Sequence, residues 1–452
     1  MRAIRPLRHP AYRWLAGNLA FSVLAEGLWV VALVWQVVEL GGGPAQLSLI
    51  SGALAVGVLA TALPGGVLAD RVPQRRVLVL VALLQVGAVG AVAVLSLAGL
   101  LGYAALTVAA LLIGVAGGLM FPAYSALVPH LVPADELQAV NGLEGMLRPA
   151  LLNAGGPALA GVVVAAAGPG PAMAVVAAAA VAALGCALGL PRAAPAAAGA
   201  DGAGSAGSPL ADLREGFRYM RRTRWLLVTL LFASAMILVV LGPMEVLVPF
   251  AVKDRAGGGP TEHALVLAMF GLGGFLGSFL AGSLRLPRRY LTAMISMWAV
   301  GCVPMAVFGL ATSLAPMAAA ALVVGVLFNA PQVVWGTLLQ RRVPRALLGR
   351  VSSLDFFVSL AFMPVSMALA GPLSGAVGLT PVFLVAGLAP VLIGAVALLV
   401  GRLGPDELAH PMDAMDAVDP VDPVDDDDAG PATVVAGPAD EEDEEVSPRS
   451  GR

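Results

Sequence analysis

Apolar residues run along this chain in long blocks from about Tyr12 to Val400, each ended by a short charged or Pro/Gly-rich break. A helix needs about 20 such residues to cross roughly 30 Å of hydrocarbon. By that measure the pattern predicts spans over 12–39, 45–69, 77–99, 102–128, 138–167, 171–190, 225–251, 262–284, 290–310, 315–340, 349–377 and 380–401. The blocks are too long, and too rich in Ala, Leu and Gly, for the roughly ten-residue alternating strands of a membrane barrel. The expectation is an all-α integral membrane protein with twelve transmembrane helices.

Charge gives this bundle a direction. Arg2, Arg5, Arg8 and Arg13 precede the first span, Arg71, Arg75 and Arg76 follow the second, and Arg341, Arg342, Arg345 and Arg350 lie between the tenth and eleventh. The intervening loops are nearly uncharged, apart from Glu39, Glu262 and the turn from Lys253 to Arg255. Arginines near helix ends stay on the cytoplasmic side, so both termini are expected there, in a multi-pass protein of the inner (cytoplasmic) membrane. No cleavable leader is evident at the first span.

Composition agrees: 59% of residues are hydrophobic and 12% are Asp, Glu, Lys or Arg, which is about half the charged share of a water-soluble domain. The chain divides into a six-helix half over 1–190, a linker over 191–224, a second six-helix half over 225–401, and a tail over 402–452. Within the linker, Leu213, Phe217 and Met220 recur at helical spacing among Arg and Glu, which predicts an amphipathic surface helix. The tail is rich in Asp, Glu and Pro and reads as a disordered, solvating segment.

The halves repeat each other. An offset of 211 residues pairs Arg13-Trp14 with Arg224-Trp225, Gly66 with Gly277, Val132-Pro133 with Val343-Pro344, and Glu144 with Asp355. Tandem halves place a binding cavity at their interface and move it between the two sides by rocking, so the organisation itself points to transport of a small molecule.

At the end of the second span stands GVLADRVPQRR, Gly66 to Arg76. It resembles the loop signature of the major facilitator superfamily, with Gly66, Leu68, Ala69, Asp70, Arg71, Arg75 and Arg76 in register and Pro73 where the family usually has Gly. The second half carries a worn copy, Gly277 to Arg289, with Ala281 in the Asp70 position. The resemblance implies a gating motif in which Asp70, Arg71 and Arg75 lie near the start of the eleventh span, where Asp355 supplies a partner. By symmetry Glu144 would face Arg285, Arg288 or Arg289. Arg148, four residues after Glu144, is placed to neutralise it along one helix face.

The fifth span contains NAGGPALAG, in which Gly156, Pro157 and Gly161 resemble the helix-five motif of drug and proton antiporters in that superfamily. A related AGPLSG holds Gly371 and Pro372 in the eleventh. Proline removes a helix hydrogen bond and small residues admit a close neighbour, so both segments should bend. FSVLAEGLWVVALVWQVVEL and FPAYSALVPHLVPADELQAVNGL look like the branch holding macrolide-type and siderophore exporters. This implies proton-coupled efflux of a drug-like or secondary-metabolite molecule; a facilitator or importer of the same fold, or a non-transporting sensor, is the alternative.

Glu26 is the first proton-coupling candidate. At about 1.5 Å per residue it lies roughly 20 Å beyond Arg13, where an ionisable group is costly and usually faces a cavity or a partner. Glu245, between Pro243 and Pro249, is the second. Trp29, Trp35, Gln36, Asn153, Asn329, Gln332 and Trp335 could furnish the cavity with aromatic faces and sparse hydrogen bonds suited to an amphipathic substrate. Lys253 is the one lysine in the helical region and no phosphate-cradling glycine loop occurs, so ATP hydrolysis is not expected. Cys186 and Cys302 are too few for a metal or disulfide framework. No cofactor, metal, catalytic residue or nucleic-acid partner is expected, and the implied working unit is a monomer in the lipid bilayer.

Overall fold

A computed structural model of the chain describes residues 5–133, 136–191, 209–284 and 287–411. Among them every regular element is helical. Twelve helices are long and apolar enough to cross a membrane: Pro10–Glu39, Pro44–Ala62, Gln74–Leu97, Tyr103–His130, Leu143–Ala167, Pro169–Gly189, Arg224–Ala256, Pro260–Ser283, Tyr290–Leu310, Leu314–Arg342, Arg350–Val377 and Leu379–Gly401. They are called spans one to twelve below. Many large apolar side chains remain exposed on them, Leu97, Phe279 and Leu399 among these, as expected where lipid replaces water.

The spans form two six-helix halves. Because they alternate in direction, the arginine-bearing connections gather at one end of the bundle, opposite the end where Pro44 and Pro260 open their helices. At that far end the halves meet backbone to backbone. A Cβ on Gly371 would lie 2.3 Å from the Pro44 carbonyl oxygen. The Gly371 N–H donates to Ser48 Oγ at 2.6 Å, tying span eleven to span two. Gly161 of span five packs against the start of span eight, where a Cβ would lie 2.8 Å from Ala264 Cβ and 3.0 Å from the Pro260 carbonyl oxygen.

Spans five and seven are not uniform α-helices. Ala150–Gly155 and Pro243–Leu247 are wide π turns. In each case a proline follows at the position that should donate the α-helical bond. Residue 157 has no N–H for the carbonyl of Asn153, and residue 249 has none for the carbonyl of Glu245. The missing donors let the ladder widen, a local change that often marks functional sites. Span one crosses span five at this place: a Cβ on Gly156 would stand 2.7 Å from the Gly27 Cα.

One expectation needs correction. The stretch read as the start of the tail continues as an ordered helix, Leu403–Ala409. Its Glu407 is fully buried, accepts from the Thr292 hydroxyl at 2.6 Å and from the Thr292 N–H at 3.0 Å, and so caps the start of span nine. The acidic sequence beyond 411, like residues 192–208 of the linker, lies outside the described residues. The amphipathic helix of the linker is Pro209–Arg222, and its Glu215 pairs with Arg350 of span eleven.

Candidate functional site

A cavity of about 470 Å³ lies between the halves, bounded by spans one, two, four and five on one side and seven, eight, nine, ten and eleven on the other. Its walls are mostly aliphatic, aromatic and Met side chains, including Leu33, Phe270 and Met305. Four ionisable groups interrupt them: Glu26 and Arg148 from the first half, Glu245 and His263 from the second.

Span one supplies a polar stripe. Ser22, Glu26 and Trp29 are spaced four and three residues apart, so they share one helix face, and all three line the cavity. The Ser22 hydroxyl and the Trp29 indole N–H are buried without a hydrogen-bond partner, and so is Nδ1 of His263. A buried polar atom left unpaired costs about 1–3 kcal/mol. All three belong to residues that line this one cavity, so small side-chain movements there could present them to a polar ligand.

The carboxylates are equally unsatisfied. Among the described residues neither Glu26 nor Glu245 accepts a hydrogen bond or has an ion-pair partner within 4.0 Å, and Glu245 is exposed to the cavity interior. Arg148 is near enough to Glu26 for the two charges to interact, yet no described carboxylate lies within 4.0 Å of its guanidinium. The guanidinium instead stands 5.8 Å from the ring centre of Phe121. Arg148 also interacts with Glu144 at longer range, so the expected i, i+4 ion pair is replaced by an arginine turned into the cavity. The widened turn that begins two residues later re-aims this face of the helix.

Of the other residues singled out by pattern, Trp29 and Asn153 line the cavity and the remaining five do not. Trp35 packs into the core around span one. Gln36 donates to Glu39 and accepts from Ser96 at 2.6 Å. Asn329 donates to the Gly325 carbonyl within its own helix, and Gln332 is exposed. Trp335 donates its indole N–H to Asp355 at 3.0 Å, while Ser359 donates to the other carboxylate oxygen at 3.3 Å.

At the arginine-rich end, the surroundings of Gly66 and the side chains of Asp70 and Arg71 are not among those described, and Arg285 lies outside the described residues. Arg75 does not reach Asp355; it donates to the carbonyls of Leu190 and Leu188, closing the end of span six. Arg76 is exposed. Gly156, Pro157 and Gly161 sit where span five bends against spans one and eight, and Gly371 and Pro372 where span eleven meets span two.

Two cavity groups escaped the reading by pattern. His263 is the fourth residue of span eight, and an ionisable group in a span is itself a functional signal. Ser22 shares the face of Glu26 and could have been found by spacing alone.

The profile of the transmembrane secretion effector family matches residues 1–439. The chain belongs to that family: it is a major facilitator superfamily transporter. It is 30% identical over 404 residues to the multidrug efflux pump Tap of Mycolicibacterium fortuitum, covering 85% of this chain and 94% of the pump. The Tap pump of Mycobacterium tuberculosis is 28% identical over 424 residues, covering 90% and 97%. Among solved structures, this transporter superposes on the nucleoside transporter NupG with a TM-score of 0.67 at 14% identity, covering 86% of this chain and 98% of the other. It also superposes on a bacterial homologue of the human lysosomal transporter Spinster, in an inward-facing and unoccupied conformation, with a TM-score of 0.64 at 16% identity, covering 88% and 98%. At these identities the structures share the fold. The transporter is therefore no enzyme, and its central cavity stands where two six-helix halves of one fold meet.

Proposed function

We propose that this transporter exports an amphipathic, drug-like or secondary-metabolite molecule from the cytoplasm in exchange for protons, by alternating access of the central cavity. The carrying observation is the pair of unpartnered carboxylates, Glu26 and Glu245, set in an otherwise largely apolar cavity lined by both halves. A carboxyl in such a place can alternate between a proton and a charged or polar substrate, because each relieves the same unpaired group. The relatives named as multidrug efflux pumps support the outward direction. The arginine-rich end is taken as cytoplasmic, with both termini there, the chain in the inner membrane, and a monomer as the working unit.

On this reading the backbone contacts of Gly371 with Pro44 and of Gly161 with Pro260 close the outer side. Asp70, Arg71, Arg75 and Arg76, with Glu144 and Asp355, form the inner gate. The bends at Pro157 and Pro372 are where spans five and eleven flex.

Accumulation of fluorescent amphipathic drugs tests this reading in cells stripped of their major pumps. Lower accumulation with the wild type, abolished by Glu26→Gln and by a protonophore, is expected. Accumulation lowered equally with and without a proton gradient would instead support a facilitator, and raised accumulation an importer.

A further inference from the structure

We infer that the cavity takes a dipolar organic substrate, one that carries both a cationic and an anionic group, with Glu245 receiving the cation and Arg148 the anion. The inference rests on the cavity being the substrate site. Glu245 and Arg148 enter it from opposite halves, on spans seven and five. Neither has an oppositely charged partner within 4.0 Å among the described residues, and the surface around them is largely apolar. Arg148 feels Glu26 and Glu144 only at longer range, and a charge on a largely apolar wall without a close partner is unfavourable, so each position favours a counter-charge in what binds there.

A purely cationic molecule would satisfy Glu245 but be repelled by Arg148, which would keep only its longer-range acids; a purely anionic one would reverse the fault. A dipolar molecule satisfies both. Glu26 lies near Arg148 and competes with the substrate's anion for it. Once Glu26 takes a proton, the guanidinium is left to the ligand, so loading of the proton and of the anionic group favour one another. The orphaned Ser22 hydroxyl, Trp29 N–H and His263 Nδ1 then supply hydrogen bonds to oxygen or nitrogen functions along the body of the ligand. Asn153 faces the same space from the bend of span five.

The test uses the full chain in lipid nanodiscs and two probes of nearly identical shape, a rhodamine with a free carboxylate and its ethyl ester, the first dipolar and the second a simple cation. Equilibrium binding is read by fluorescence polarisation. The wild type is expected to bind the acid at least about tenfold more tightly than the ester. Arg148→Gln should erase that preference by weakening the acid alone, Arg148→Lys should keep most of it, and Glu245→Gln should weaken both probes. Equal or tighter binding of the ester by the wild type, absence of binding by either probe, or equal weakening of both by Arg148→Gln would overturn the inference. Thermal unfolding of each variant identifies any that fails to fold, and Arg148→Lys then carries the comparison. Preference for the acid without proton-driven export in vesicles would sink the export reading and leave the dipolar site standing. Proton-driven export of the ester in preference to the acid would do the reverse.

Discussion

Trp335 donates its indole N–H to Asp355 at 3.0 Å, and the bond is the inner end of a chain of contacts that reaches the last ordered helix. The Trp335 ring meets Trp225 edge-on at 6.1 Å between centres. The Arg342 guanidinium stacks over Trp225 at 4.6 Å, and Asp406 of the helix Leu403–Ala409 pairs with Arg342 at 2.7 Å. In the first half the repeat offset of 211 residues puts Tyr124 at the place of Trp335 and Glu144 at that of Asp355. There Tyr124 and Glu144 also interact, though the hydroxyl makes no hydrogen bond of ordinary geometry, so the pairing recurs in both halves and is closed only in the second.

Breaking this bond from the donor side should be costly. Trp335→Phe keeps most of the ring contact with Trp225 but leaves a half-buried carboxylate with Ser359 alone. We expect a loss of about 1–3 kcal/mol, read as a lower midpoint of thermal unfolding. Asp355→Asn in the Trp335→Phe background should recover part of that loss, because a neutral amide is easier to leave under-bonded. Losses that simply add would show that the two side chains do not act together.

The short helix after span twelve predicts a sharp boundary for truncation. A chain ending at residue 411 keeps Asp406 on Arg342 and Glu407 on Thr292, and should unfold like the full protein. A chain ending at 402 leaves Arg342, only 5% exposed at its side chain, without its acid and uncaps span nine. Loss of one partner of a buried pair costs about 3–5 kcal/mol, so the shorter protein should be markedly less stable in detergent. Equal unfolding of the two truncations would remove the helix from any structural role.

The twelve spans were legible because lipid admits so few solutions: about 20 apolar residues, closed into helices. Their interruptions were not. Pro157 announced a bend, but not that the turn before it would widen where Gly156 packs against Gly27 of another helix, a contact no local pattern contains. Glu26 was found because a charge deep in a span is expensive wherever it points. Trp335 and Arg148 were misplaced for one reason: spacing along a helix fixes a face but not what stands opposite. Trp335 faces Asp355 from a neighbouring span, and Arg148 shares a face with Glu144 yet extends into the cavity. The tail was read as starting too early because Asp406 and Glu407 look like solvating acids until Arg342 and Thr292 are placed beside them.

Gly371 predicts a shift between conformations. Its missing side chain lets span eleven lie against Pro44, where an added methyl would come within 2.3 Å of a carbonyl oxygen. Gly371→Ala should therefore disfavour the arrangement closed at the far end. Spin labels placed near the starts of spans two and twelve should report a longer mean distance in the variant. An unchanged distance distribution in a folded variant would show that the contact yields locally and does not set the equilibrium.

The orphaned groups on span one predict an unusual separation of stability from binding. Removing a buried hydroxyl normally destabilises a protein because its partner is left unpaired, but the Ser22 hydroxyl has no partner to leave. Ser22→Ala should then keep or slightly raise the unfolding midpoint of the substrate-free transporter, by up to about 1 kcal/mol. Trp29→Phe removes an unpaired N–H while keeping most of the ring, and should be close to neutral. Both variants should nevertheless weaken binding of a transported substrate by roughly five- to tenfold, the loss of one hydrogen bond made only in the complex. Unfolding midpoints and binding curves on the same preparations check this. A drop in midpoint with unchanged affinity would show that these groups serve the fold and not the ligand.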